Sequence, residues 1–395
     1  MKKLKWVFVI AVCIYSCFLG RVFATEISGD NIDATVEKND VEQSISQETS
    51  YKMPEYTYKI LKGTVLEAGE VYEESDGYST YKYQDVKVHI KDEKYNTTKL
   101  IKHSLSYYNN IASTDKPLQK GDKVYVYTTF TDGQMADTQV YYRNNTGKVI
   151  LLILVYAIAI VLVGRMKGIK ALISLILTVL AVFYLILPQI INGANPVLIT
   201  ILVCAGITVV TILIIAGFNK KALAAILGTI GGIIIAGAFA FWFGNMMSLS
   251  GITEETLYLI GGSDGVISYD FRGILFAGVI IGALGAVMDV SMSIASALNE
   301  LREENEELSV KKMIKAGMNI GKDVMGTMTN TLILAYTGGS LILIMIFMSN
   351  HWQLYEIINQ EMMLEELLRA VAGSFGLVAT IPFTTLVSSL LMGRK

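Results

Sequence analysis

The chain has 395 residues, of which 52% are hydrophobic and 17% charged, with a formal net charge of −2; its mean hydropathy is +0.47. So much apolar content with so little charge excludes an ordinary soluble globular protein, and the lack of a strong basic patch excludes a nucleic-acid partner. Cys13, Cys17 and Cys204 all lie in apolar runs and His89, His103 and His351 have no ligand-like spacing, so neither a disulfide framework nor a metal or cofactor site is expected.

Residues 1–24 combine Lys2, Lys3 and Lys5 with the apolar run Trp6 to Leu19 and the segment Val22-Phe23-Ala24. That pattern predicts a signal peptide cleaved after Ala24, or else an uncleaved anchor; either places residue 25 outside the cytoplasm. Residues 25–55 follow as a linker whose stretch Thr25 to Ser50 carries seven acids against the single Lys38, a composition that predicts disorder. From 56 to 145 the pattern has period two. Val86, Val88 and Ile90 alternate with Lys87, His89 and Lys91, and a second alternating run follows the turn Gly121-Asp122. A small extracytoplasmic all-β domain, barrel or sandwich, is expected, comparable to OB-like or SH3-like modules. Fourteen of the chain's 21 tyrosines fall between Tyr51 and Tyr142. They could stack on a wall carbohydrate, though β-propensity alone accounts for most of them.

The remainder, 149–393, holds seven apolar stretches, at about Val149 to Val163, Ile169 to Ile191, Pro196 to Gly217, Ala222 to Phe243, Gly273 to Leu298, Thr327 to Met348 and Ala370 to Met392. Most reach the ~20 residues a spanning helix needs. The fold class is therefore an α-helical polytopic membrane protein of about seven spans with an N-terminal β domain. Loops bearing Arg165, Lys167 and Lys170, then Lys220 and Lys221, then Arg302 to Lys322, then Arg394 and Lys395 alternate with neutral or acidic ones. The positive-inside rule puts the basic loops and the C-terminus in the cytoplasm of a plasma-membrane protein, in agreement with the leader. His351 to Arg369 reads as an amphipathic helix on the outer surface, and Tyr336 to Ser340 as an interruption of the sixth span. Gly261 to Gly265 reads as a re-entrant turn.

The fifth stretch carries Asp289 among apolar residues. Wound at 100° per residue, Gly278, Gly282, Gly285, Asp289, Ser293, Ser296 and Glu300 share a wedge of roughly 80°. Glycines on that face predict close helix packing, with Asp289 turned into protein. A charge near the bilayer centre costs on the order of 3 kcal/mol and usually marks an ion, proton or substrate path; the plainer reading is a hydrogen-bonded Asp gluing two helices together. The sixth stretch offers a matching stripe of Asp323, Thr327, Asn330 and Thr337, with Asp289 and Asn330 at similar depths, about 13 and 10 Å from their helix ends. The candidate ion or proton pathway is thus Asp289, Asn330, Thr327, Asp323 and Ser293, with Gly278, Gly282 and Gly285 for packing. G-x-S-x-G, H-E-x-x-H and P-loop patterns are absent from the sequence, so an enzyme is not expected.

The strings Ala286 to Ala295, AVMDVSMSIA, and Gly321 to Tyr336, GKDVMGTMTNTLILAY, closely resemble the two signature stretches of the YibE/F family of bacterial membrane proteins. The resemblance is expected to include the β domain and the Gly121-Asp122 turn. It implies a bacterial plasma-membrane protein and names no activity. Two function classes follow: a permease or ion-coupled transporter with Asp289 as carrier of a proton or cation, or a non-transporting scaffold whose β domain binds a wall component or partner protein. The partners expected are the lipid bilayer, a small solute or ion and, for the β domain, a cell-envelope component; a homo-oligomer stays open.

Overall fold

The structure, a computed structural model, describes residues 56–75, 80–92, 95–105, 116–131, 134–253 and 269–393. The signal segment, the acidic linker and the Gly261 to Gly265 turn lie outside the described residues. The chain divides into two compact units, one ending at Ala159 and the other running from Ile160.

In the first unit, five antiparallel strands form one sheet: β1 (Tyr56–Ser75), β2 (Thr80–Lys91), β3 (Asn96–Ser104), β4 (Lys123–Thr131) and β5 (Gln134–Arg143), in the order β3-β2-β1-β4-β5. β1 is long because it serves two partners. Its first half pairs with β4 and its second with β2, and Gly63 at the crossover faces both Ile90 and Val124. A Cβ at Gly63 would sit 2.6 Å from Val88 Cγ1, so only glycine lets the strand turn over the core. The predicted alternation holds, with Val86, Val88 and Ile90 buried beside Val65, Val124, Val126 and Phe130. The sheet curls until its edges β3 and β5 approach, where Lys99 Nζ donates to the Met135 carbonyl at 3.3 Å. Buried Gln84 closes one end, donating to the Gly69 and Leu118 carbonyls and accepting from Leu118 N. The result is a small, curled antiparallel sheet, in keeping with the all-β domain expected as a barrel or sandwich.

After Asn144 and Asn145 the chain enters α1 (Thr146–Ala181), followed by a π turn at Val182–Ile186 and the short α2 (Leu187–Ile191). Arg165 interrupts α1 at φ 48°, ψ −127°. The bend there is sharp enough that a Cβ on Gly168 would strike the Ile160 carbonyl, two groups about 12 Å apart in a straight helix. Two of the expected stretches therefore abut at Gly164-Arg165 with no loop between them.

The other helices are α3 (Pro196–Ala216), α4 (Lys220–Met246), α5 (Phe271–Glu304), α6 (Val310–Gly339), α7 (Leu341–Ser349), α8 (Leu354–Ile357) and α9 (Glu361–Met392). Among the described residues, five helices are long and apolar enough to cross a membrane, or six when α6 and α7, bent by 56° at Ser340, form one span. The difference from seven stretches lies in α1, where Thr146–Ile191 counts as one run of 46 residues. The interruption expected near Tyr336 to Ser340 is this bend. The surface helix expected at His351 to Arg369 is not separate. α8 is only four residues long, and Glu361 to Arg369 forms the first turns of α9, which no Pro or Gly breaks before Ala370.

α4, α5 and α9 make the core. Glycines of α4 accept hydroxyl side chains of α9: a Cβ on Gly228 would overlap Thr384 Oγ1, and one on Gly232 would overlap Thr380 Oγ1 and lie 2.7 Å from Val287 Cγ1. This is small-residue packing, in which missing side chains admit a neighbouring helix. Gly232→Ala should lower the melting temperature of the full-length protein by several degrees, in line with overpacking costs of about 1–3 kcal/mol. Adding Thr380→Ala, which removes the overlapped oxygen, should recover part of that loss in the same thermal-unfolding assay.

Candidate functional site

α5 meets its neighbours with its broad apolar side: Val279, Ile280, Ala283, Leu284, Val287, Val290, Ile294 and Leu298 are all buried. That side is saturated by α3, α4 and α9, which leaves the narrow polar stripe outside. Gly282, Gly285, Asp289 and Ser293 are exposed and Gly278 is half-buried. The expectation that Asp289 points into protein is thus reversed within this chain. The reason is steric: in a bilayer the apolar residues interlock best, and the glycines that counted as packing positions are largely unused. A Cβ on Gly278 or Gly285 would meet nothing within 4 Å.

α6 is the helix that borders this stripe, and two of its contacts set the register against α5. A Cβ on Gly317 would lie 3.0 Å from Leu298 Cδ1, and one on Gly282 would overlap the Tyr336 hydroxyl. Those contacts fix an antiparallel register in which Asp289, between Leu298 and Gly282, is level with the stretch Thr327 to Asn330. Asp323, Thr327 and Asn330 are exposed too. The two predicted stripes are therefore level along their helices, with Asp289 near the middle of α5, but Tyr336, which meets Gly282, lies half a turn round α6 from Thr327, so the stripes do not face each other. No hydrogen bond joins them: among the described residues Asp289 and Asn330 have no polar partner, and Thr327 Oγ1 donates to the Val324 carbonyl at 3.0 Å.

Sequence reasoning missed two further parts of this site. Thr329 lies off the α6 stripe, and its Oγ1 is buried without a partner at the level of Asp289. No periodicity argument marks it, because it sits on the inward side. The second part lies at the Gly282 end. Ser340 Oγ donates to the Tyr336 carbonyl at 3.1 Å and to Glu366 Oε2 at 3.2 Å, and Glu366 is paired with Arg369 one turn on. Tyr336, Ser340, Glu366 and Arg369 thus gather where α6 ends and α9 begins. The interruption in α6 was legible, but the acids of α9 read as a surface helix. Beyond them the bundle core holds buried hydroxyls: Thr384 Oγ1 donates to Ser291 Oγ at 3.2 Å, while Thr385, Ser388 and Ser389 have no partner for theirs among the described residues.

A bundle of long apolar helices, with Asp289 and Asp323 at mid-helix, joined to a small antiparallel β sheet, fits a membrane protein. The chain belongs to the YibE/F-like protein family, whose model matches residues 152–394. The match begins after β5, so it does not include the β domain or the Gly121-Asp122 turn that the resemblance was expected to cover. No curated protein and no solved structure matches the chain.

The open stripe makes a sharp contrast with the α4–α9 seam. Gly285→Val should leave thermal stability within about 0.5 kcal/mol of wild type, the usual range for substitutions at uncovered positions. A large loss of stability in detergent would mean that another chain covers the stripe.

Proposed function

We propose that the protein is a permease or ion-coupled transporter of the plasma membrane in which Asp289 carries a proton or cation. The observation that carries this reading is the placement of that carboxylate: halfway along α5, exposed on the side next to α6, with no polar partner among the described residues. An ionised carboxylate facing hydrocarbon is costly, so the group must exchange its charge with a proton or a cation, or be covered. The stripe offers the other parts of a path. Toward one end Gly285 and Gly282 leave room as far as the Tyr336 hydroxyl and the Ser340, Glu366 and Arg369 cluster. Toward the other, Ser293, Ser296 and Glu300 continue the stripe. Thr329, on the inward side of α6 and level with Asp289, supplies an oxygen ligand or hydrogen bond to whatever it holds, while Thr327, Asn330 and Asp323 line the exposed side of α6 and complete the path when that helix turns.

In this reading the chain has seven spans, the halves of α1 counting as two and α6 with α7 as one bent span. The β domain is placed outside the cell and the C-terminus inside, a topology supported by the expected leader and by the distribution of Lys and Arg in the sequence. The bend at Ser340, following Gly338 and Gly339, gives α6 a broken-helix end of the kind that lines ion paths in transporters.

The test is reconstitution of purified wild-type and Asp289→Asn protein in liposomes, following internal pH under imposed cation and solute gradients. Asp289→Asn should abolish flux, at least tenfold, with membrane abundance and melting temperature unchanged, and Tyr336→Phe should reduce it less. Loss of abundance in the Asn variant instead would mean that Asp289 only holds helices together.

A further inference from the structure

The seam where β3 and β5 fail to pair opens into a cleft of about 1220 Å³, roomy for a ligand site. Its lining includes four cationic side chains, Lys102, Lys116, Arg143 and Lys148, and one carboxylate, Asp137. That carboxylate is already engaged: its two oxygens accept from Thr138 N at 2.7 Å and Gln139 Nε2 at 3.0 Å. Two of the cations are neutralised as well. Lys102 pairs with Glu74 at 2.5 Å, and Arg143 pairs with Asp122 at 3.3 Å while donating to the Lys116 and Pro117 carbonyls. Lys116 and Lys148 remain, with no ion pair or hydrogen bond to their side chains among the described residues. Among the described residues the cleft therefore carries two ammonium groups without an ion pair, against the single negative charge of Asp137.

Its position says which anion meets them. Only Asn144 and Asn145 separate β5 from α1, a reach of at most about 7 Å. Lys148 immediately precedes Val149, and every side chain from Val149 to Tyr156 is more than half exposed, as on a helix surrounded by lipid. The cleft and the first apolar turn belong to the same compact unit. The mouth of the seam thus stands at the headgroup layer, where Lys side chains meet phosphates and tyrosines such as the exposed Tyr141 and Tyr142 anchor. We propose that the open seam of the β barrel binds the anionic phosphodiester of a lipid headgroup, with Lys116 and Lys148 as its cationic ligands. Lysine suits this task as a compact point charge that grips phosphate without demanding a fixed geometry. The same chemistry occurs in soluble phosphodiester polymers, and the depth of Lys148 favours the lipid. This inference stands apart from the transport reading, since it uses no residue of the helical stripes.

Full-length protein in phosphatidylcholine nanodiscs, doped with a headgroup-photoactivatable phosphatidylglycerol, provides the test. Cross-links should map to peptides spanning 99–104 and 139–148, and unlabelled phosphatidylglycerol should compete them away while extra phosphatidylcholine does not. Lys116→Gln with Lys148→Gln should weaken labelling about 25-fold, about fivefold per lysine. The Lys→Arg pair should retain it, and Lys120→Gln, an exposed lysine outside the cleft, should leave it unchanged. Labelling that phosphatidylcholine competes equally, or that survives in a folded Gln double variant, overturns the proposal. Competition by a soluble glycerol-phosphate oligomer as effective as lipid keeps the phosphodiester site and overturns its assignment to the membrane.

Discussion

Gly228 and Gly232 of α4 present bare backbone to α9, and Thr384 and Thr380 fill the space they leave. In lipid there is no hydrophobic drive to bring two apolar helices together, so interlocking of this kind has to supply the attraction. Once α4 and α9 are this close, α5 fits against both with its broad apolar side, Val287 reaching Gly232 and Ser291 bonding Thr384. Every other feature of the bundle follows from that commitment. An α5 whose apolar face is spent on three neighbours cannot also bury its stripe of glycines and Asp289.

In water an exposed aspartate would need no comment. Here the exposed side of α5 faces what the composition says is hydrocarbon, and the cost of a bare carboxylate there is comparable to the gain from a good packing contact. α6 does little to relieve it, since no side chain of α6 hydrogen-bonds Asp289 among the described residues. Removing the carboxylate would make the bundle easier to insert, and this cost is what the proposed transport role of Asp289 has to justify.

The fold was legible wherever one physical constraint dominated. Alternation of Val86, Val88 and Ile90 announced the barrel, runs of about twenty apolar residues announced the helices, and Gly338-Gly339-Ser340 announced the break in α6. Helix orientation was not legible. A helical wheel gives the polar stripe of α5 but not its direction, because in a membrane both a polar and an apolar face can be buried. The continuity of α9 was hidden for a related reason: four glutamates before Ala370 read as a surface segment, although Glu365 is buried and Glu366 is held by Ser340 and Arg369. Thr329 was invisible because its significance comes from register with α5, which only the tertiary contacts define.

The division of labour between helices also bears on how a site of this kind could work. α4, α5 and α9 are bound along their lengths by glycine contacts and buried apolar side chains. Only the first half of α6 buries residues, at Met313, Gly317 and Gly321, and its far end stops at the Ser340 bend, where a hydroxyl and an ion pair hold it. A site on the rigid core, bordered by a helix anchored at its start and broken at its end, can be opened to one side or the other by moving that helix alone. The hinge requirement, a few residues able to absorb a change in backbone angle, is met by Gly338 and Gly339, where a side chain would meet nothing within 4 Å. In the proposed transport reading the carboxylate would stay fixed while access to it alternated, so the costly group would not have to move through lipid at all.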